Sequence, residues 1–305
     1  MTTSSAERRA RAGLPFVRFM QNYTPFSASN RLLRHSVSRF RPPDGITRED
    51  ISAGGVPCIW LSPPNGAADR VLLYLHGGGF VMGQTPLHLH MGAWLARKMA
   101  QRVLMVDYRL APQHPFPAAL DDCATAWRWL LRQGVPAGNI VVAGDSAGGN
   151  LTLTLLMKLR DEGDPLPAAA ACLSPAADLS QVNDQREYRD PLLSPRAMKR
   201  YSAACVGSHD PRDPLISPAF GQFHDLPPLL IHAGEDEILR EDAVQVEALA
   251  RAAGVDVRLE IYPRMWHVWQ IYLQLPQATQ SLTDIAQFLC SHQRSPRATP
   301  VATPA

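Results

Sequence analysis

The chain has 305 residues, 46% of them hydrophobic and 19% charged, which suits a soluble globular protein with a sizeable core, within the range of one domain carrying an insertion. A net charge of +2 with no long basic run argues against a nucleic-acid partner. No stretch of about 18 apolar residues offers a transmembrane helix, and Met1 to Met20 carries four arginines without an apolar core, so neither stable membrane insertion nor a signal peptide is expected.

Residues 1–45 look helical and carry Phe16, Phe19, Met20, Tyr23 and Phe26. From there, short apolar runs alternate with longer amphipathic stretches. Val71–Leu75 reads as a strand, Leu87–Ala100 as a helix, Val103–Asp107 as a strand and Ala118–Arg132 as a helix. Ile140–Gly144 is a strand running into a helix over Ala147–Arg160, and Ala169–Leu173 is the next strand. Residues 176–220 are polar, punctuated by proline, and supply no strand. Leu229–His232, a helix over Glu241–Ala253 and the strand Val257–Tyr262 resume the rhythm. Strand–helix alternation predicts an α/β fold with a mostly parallel central sheet covered by helices on both faces. The nearly all-apolar strands agree, since such sheets are buried on two sides. The two irregular segments, 1–45 and 176–220, are predicted to form one helical cap over a core of 46–175 plus 221–291. The Pro-, Thr- and Ala-rich stretch 292–305 reads as a disordered tail. Cys58, Cys123, Cys172, Cys205 and Cys290 are dispersed without a CxxC pair, which fits reduced thiols and, with the missing export signal, a cytoplasmic location.

Gly144-Asp145-Ser146-Ala147-Gly148 places G-x-S-x-G where a buried strand turns into a helix. A serine on such a corner needs a strained backbone, and small residues two before and two after it let the chains pass. The helix N-terminus beneath Ser146 favours negative charge on an attacked carbonyl oxygen. An incidental glycine-rich helix entry is the bland alternative, and the matching strand and helix speak against it. After Val71–Leu75 comes His76-Gly77-Gly78-Gly79-Phe80. Bare glycine backbone can aim amides at an oxyanion, so Gly78, Gly79 and Ala147 are the expected donors, with His76 holding the loop. A dinucleotide cradle would need glycine where Met82 stands, and no phosphate-binding G-x-x-x-x-G-K-[ST] occurs.

The base and its acid should follow in late loops. His267, after the strand ending at Tyr262, sits among Met265, Trp266, Val268 and Trp269 and is the expected base. Glu235, Asp236, Glu237, Glu241 and Asp242 crowd the loop and helix start after Leu229–His232, and acids at a helix start are often only dipole partners. Position relative to the strand end favours Asp236 as the acid that orients His267.

With HGGGF at 76–80, YRLAPQHPFPAALDD at 108–122, GDSAGGN at 144–150, LPPLLIHAGEDEIL at 226–239 and MWHVWQ at 265–270, the chain resembles the hormone-sensitive-lipase-like family of α/β-hydrolases, in its GDSAG subgroup. The resemblance covers the core from about position 70 to 290. It implies a Ser146–His267–Asp236 triad, an oxyanion hole of Gly78, Gly79 and Ala147, and hydrolysis of short- to medium-chain acyl or aryl esters with neither metal nor organic cofactor. The cap segments match by placement more than by residue identity. The partner implied is a small-molecule ester, and a homodimer stays open. Tyr108, Arg109, Asp121, Asp122 and Asp178 read as scaffold, while for Asp145, beside the serine, a contact with the acid-bearing loop stays open. An acyltransferase or amidase could use the same triad; a non-catalytic receptor would lack the base; and His88 and His90, two apart on a helix, do not share a metal-binding face.

Overall fold

Apolar runs too short for helices become the inner strands of one eight-stranded sheet in the computed structural model, which describes residues 5–180 and 189–294. The strands are β1 (Thr47–Ala53), β2 (Val56–Ser62), β3 (Ala67–Leu75), β4 (Gln101–Val106), β5 (Ile140–Asp145), β6 (Ala170–Leu173), β7 (Leu229–Gly234) and β8 (Val257–Tyr262). Their spatial order is β1-β2-β4-β3-β5-β6-β7-β8, parallel from β4 onward and antiparallel at the β1–β2–β4 edge. The register pairs Leu75 with Gly144, Asp145 with Leu173 and Gly234 with Tyr262. The carboxyl ends of five parallel strands therefore finish together, and every loop that follows them starts at the same rim.

Five helices cover the sheet: α3 (Pro86–Met99), α4 (Ala118–Arg132), α5 (Ala147–Asp161), α7 (Arg240–Ala252) and α8 (Pro276–His292). Alternation along β3 shows why both faces need cover. Val71, Leu73 and Leu75 belong to the core formed with Trp127 of α4, Leu155 of α5 and Val246 of α7. Leu72 and Tyr74 belong to the opposite core, with Leu89 of α3 and Leu282 and Leu289 of α8. Each fully buried leucine contributes about 1.5–3 kcal/mol of burial energy.

Three helices lie outside this sandwich: α1 (Ser5–Tyr23), α2 (Phe26–Ser38) and α6 (Pro195–Val206). They come from the two segments that supply no parallel strand, and they hold one another. The Arg18 guanidinium donates to the Asp190 carbonyl at 2.5 Å, Ser194 donates to Asn22 at 2.6 Å, and Phe26 and Tyr201 rings lie 6.0 Å apart. Part of the expected cap, residues 181–188, lies outside the described residues.

Two features depart from the sequence reading. β1 and β2 form a hairpin with no counterpart in the expected elements. Its two-residue turn, Gly54-Gly55, has φ of +66° and +99°, the conformation tight hairpins require. β1 carries Glu49 and Asp50 in place of an apolar run, as suits an edge strand that must not pair further. The expected tail begins too early: His292 still ends α8, Gln293 is buried and donates to Asn139 O at 2.8 Å, and Arg294 N donates to Gly138 O. The rest of that stretch, 295–305, lies outside the described residues. All five cysteines are free thiols, and no helix among the described residues is long and apolar enough to cross a membrane.

Candidate active site

Ser146 sits between β5 and α5 with φ +56° and ψ −117°, a backbone conformation that costs about 1–3 kcal/mol and persists only when packing over-determines it. The packing is visible at Gly148. A Cβ there would stand 1.9 Å from the Leu75 carbonyl oxygen, so only glycine lets α5 pass this close to β3. Ser146 N donates to Leu173 O at 2.8 Å, and Asn150 one turn on donates to the carbonyls of Ala176 and Ile216 at 2.7 and 2.8 Å. The corner is thereby bound to β6 and to the segments before and after α6.

His267 reaches Ser146 from the loop after β8. Its Nε2 lies 2.9 Å from Ser146 Oγ, and the ring is 5% exposed. On the other side of the imidazole stands Glu237, whose Oε2 is 3.8 Å from Nδ1. That span is an ion-pair distance longer than a hydrogen bond, and contacts to a catalytic base commonly tighten only when substrate is bound. Ser174, just past β6, donates to the same Glu237 oxygen at 2.6 Å and accepts from Val268 N at 3.2 Å, bridging the acid's loop to the base's loop.

Asp236 is not brought to His267. Its carboxylate turns outward, 3.6 Å from the Arg11 guanidinium of α1. Successive residues of the turn after β7 point different ways, and the crowd of acids separates into distinct contacts. Glu235 accepts from Arg264 N at 2.9 Å, Glu237 faces His267, Glu241 pairs with Arg240, and Asp242 accepts from the amides of Ala177 and Asp178. Strand position alone does not say which of these acids faces His267. The sequence offers no sign of which turn residue faces inward, and none at all for Ser174 or for Asp190, a third buried acid here. Asp190 accepts from the amides of Leu192, Leu193 and Ile238, so it fixes the residue next to Glu237.

These carboxylates set the charge of the base. Burial alone would lower the His267 pKa, but Glu237, Asp190 and Asp145 more than offset it and hold the imidazole above its ordinary 6.5. Burial pushes the Glu237 carboxyl up, opposed by His267 and the Ser174 hydroxyl. Burial likewise raises Asp190, opposed by His267 and its three amides.

Gly78 and Gly79 follow β3 with φ of +126° and +62° and line the same cavity as Ser146, Ala147 and His267. A Cβ on Gly79 would stand 2.4 Å from the Tyr201 ring of α6, so the glycine loop is pressed between the sheet and the outer helices. Asp145 supports that loop and does not touch the acid-bearing loop. Its Oδ1 accepts from Tyr74 OH at 2.8 Å and Gly77 N at 3.0 Å, and its Oδ2 lies 3.3 Å from His88 Nε2. Burial works to raise its pKa, but His88 and the Tyr74 hydroxyl outweigh it, leaving Asp145 below the usual carboxylate range. His88 is itself held by Thr85, whose hydroxyl and amide both meet its Nδ1 in the box that starts α3. His76 keeps to the scaffold: it stacks on Tyr108 at 4.2 Å and is fully buried, and burial lowers its pKa to about 4. Arg109 and Asp122 form a salt bridge at 2.8 Å behind it.

The cavity over Ser146 measures about 350 Å³. Its floor is Ser146 and His267, and its walls are apolar: Val17 and Met20 of α1, Leu33 of α2, Met198 of α6 and Ile271. Met20 is thus the one member of the expected N-terminal set that lines the cavity. Phe26 packs on Tyr201, while Phe16, Phe19 and Tyr23 face outward.

A mostly parallel sheet with a serine elbow after its central strand, and a histidine delivered after its last, defines the class as α/β-hydrolase. Comparisons with known proteins narrow it. The family model for the alpha/beta hydrolase fold matches residues 72–271. An acetyl-hydrolase of Streptomyces hygroscopicus is 41% identical over 252 residues, covering 81% of this chain and 83% of the relative. LipF of Mycobacterium tuberculosis, a carboxylesterase/phospholipase, is 36% identical over 264 residues, covering 82% and 70%. Among solved structures, an esterase of the bacterial hormone-sensitive lipase family superposes with a TM-score of 0.88 at 36% identity, over 96% of this chain and 99% of that one. The chain belongs to the α/β-hydrolase family, in its hormone-sensitive-lipase-like branch of esterases and lipases.

Proposed function

We propose that the chain is a serine carboxylesterase acting through Ser146, His267 and Glu237. The observation that carries this reading is the 2.9 Å contact between Ser146 Oγ and His267 Nε2 at the floor of an apolar cavity. An ester carbonyl binds with its oxygen toward the amides of Gly78, Gly79 and Ala147. Ser146 Oγ attacks the carbonyl carbon as His267 Nε2 takes the hydroxyl proton, and Glu237 stabilises the imidazolium that forms. The tetrahedral oxyanion is met by the amides, each worth about 3 kcal/mol. Collapse breaks the bond to the alcohol oxygen, which leaves with the proton from His267, and the acyl group stays on Ser146. A water deprotonated by His267 then releases the acid and restores the serine. α1, α2 and α6 act as the cap, and a cavity of about 350 Å³ suits short- to medium-chain acyl groups. The test is a series of p-nitrophenyl esters of increasing acyl length with the wild-type and Ser146→Ala proteins. Turnover should peak at a short or medium chain and fall by about 10⁴-fold or more in Ser146→Ala. Near-normal turnover in that variant would refute the assignment.

A further inference from the structure

We propose that the outer face of α1 and α2 docks onto an anionic phospholipid surface, from which apolar esters enter the cavity; the second half of this statement rests on the esterase reading above.

Five large apolar side chains stand out of these two helices: Phe16 is 69% exposed, Phe19 57%, Tyr23 55%, Leu32 62% and Val17 38%. Isolated exposed apolar residues need no explanation, but a cluster on one side does. At 3.6 residues per turn, Phe16, Phe19 and Tyr23 share one face of α1, and the Phe19 and Tyr23 rings lie 5.0 Å apart. The helix already buries a different face, with Ala10 and Leu14 against Trp266 and Trp269. Phe16 and Phe19 are therefore not what seats α1 on the protein, while Tyr23 also takes the Arg196 guanidinium of α6 over its ring at 4.4 Å.

The patch runs into the mouth of the catalytic cavity. Val17 and Leu32 are exposed and line the cavity as well, and so is Leu87 at the start of α3. Val17 lies next to Phe16 on the adjoining face of the helix. An apolar molecule resting among the aromatics is one side chain away from the cavity wall.

Charge identifies the occupant. Residues 1–43 contain eight arginines and one glutamate, no lysine and no aspartate. This segment stands at +7 while the whole chain is only +2, so the remainder is net negative. Arg9 and Arg31 are exposed on the same two helices as the aromatics. Aromatic side chains interspersed with arginines on an amphipathic helix match an anionic headgroup layer over acyl chains. They match the net-negative remainder of a second copy of this chain less well, because the exposed large apolar side chains among its described residues are Leu87, Val244 and Ile261, on three separate elements.

The experiment uses the full chain carrying Ser146→Ala, so that bound lipid is not turned over. Co-sedimentation is measured with vesicles of phosphatidylcholine alone and of phosphatidylcholine mixed with phosphatidylglycerol. Binding to the mixed vesicles should exceed binding to neutral ones by about tenfold or more and weaken with added salt. Adding Phe16→Ser and Phe19→Ser should lower the partition coefficient about a hundredfold, about tenfold per ring. Arg9→Glu with Arg31→Glu should abolish the preference for anionic vesicles. With Ser146 restored, the two phenylalanine changes should leave hydrolysis of a soluble short-chain ester unaltered. Absent binding, or equal binding to both vesicle types, overturns the proposal. So does a wild-type dimer that the phenylalanine changes dissociate without any effect on vesicles, since the face would then belong to self-association. Failure of the wild-type protein to cleave the soluble ester would sink the esterase reading alone, because sedimentation reads the surface independently.

Discussion

Replacing Glu237 by Gln, beside the parallel change Asp236→Asn, decides which acid serves His267. Glu237 is 4% exposed with its Oε2 3.8 Å from Nδ1. At an effective dielectric of about 20, two unit charges at that distance attract by about 4 kcal/mol. The imidazolium carries its charge in the transition state, so losing the partner should slow acyl transfer by up to about a thousandfold. The Asp236 carboxylate pairs with the partly exposed Arg11 at 3.6 Å, a contact worth at most about 1 kcal/mol of stability. Its replacement should change kcat by less than about fivefold. Gln keeps the shape and hydrogen-bonding oxygen of Glu, so kcat of both variants on a soluble p-nitrophenyl ester can be compared once circular dichroism shows equal folding. A large loss in Asp236→Asn with a nearly intact Glu237→Gln would overturn the geometric argument.

The pH dependence follows from the same contacts. His267 is held above 6.5, and a general base works only when neutral, so the acidic limb of kcat/KM should have its midpoint above 6.5 and move lower in Glu237→Gln. The imidazolium's contribution to stability has the opposite sense, being complete below pH 6.5 and lost as pH rises through the folded-state value. Gly148→Ala should disrupt the elbow itself: the new Cβ meets backbone carbonyl oxygen at 1.9 Å, and destabilisation of about 3 kcal/mol or more should lower Tm by about 10 °C in a thermal melt.

Much of this was legible because it is periodic or local. The apolar runs at 71–75, 103–107, 140–144 and 229–232 each contain residues of a parallel strand, since burial on both faces leaves little room for polar residues, while 257–262 is a half-exposed edge strand that carries Arg258 and Glu260. Ser146 and His267 are marked by their place after such strands. Which acid faces the imidazole is not legible for a geometric reason: three consecutive acids follow β7, and the twist of the turn, which no composition reveals, decides between them. Ser174 and Asp190 leave no local mark because their role depends on residues 63 and 48 positions away. The β1–β2 hairpin was missed because a charged edge strand has no apolar run, although Gly54-Gly55 between two short segments is the kind of turn signal that could have found it.

Arg11 of α1 reaches both Asp236 and the Arg264 carbonyl and lies 4.8 Å over Trp266, while Glu7 pairs with Arg264 at 2.8 Å. The first helix thus grips the turns on either flank of the base. Deleting it would slacken the chemistry together with substrate selection, so a shortened protein that lost its chain-length preference would say nothing about which side chains measure the acyl tail. Point changes at Val17 or Met20, which leave that grip in place, are the means of asking.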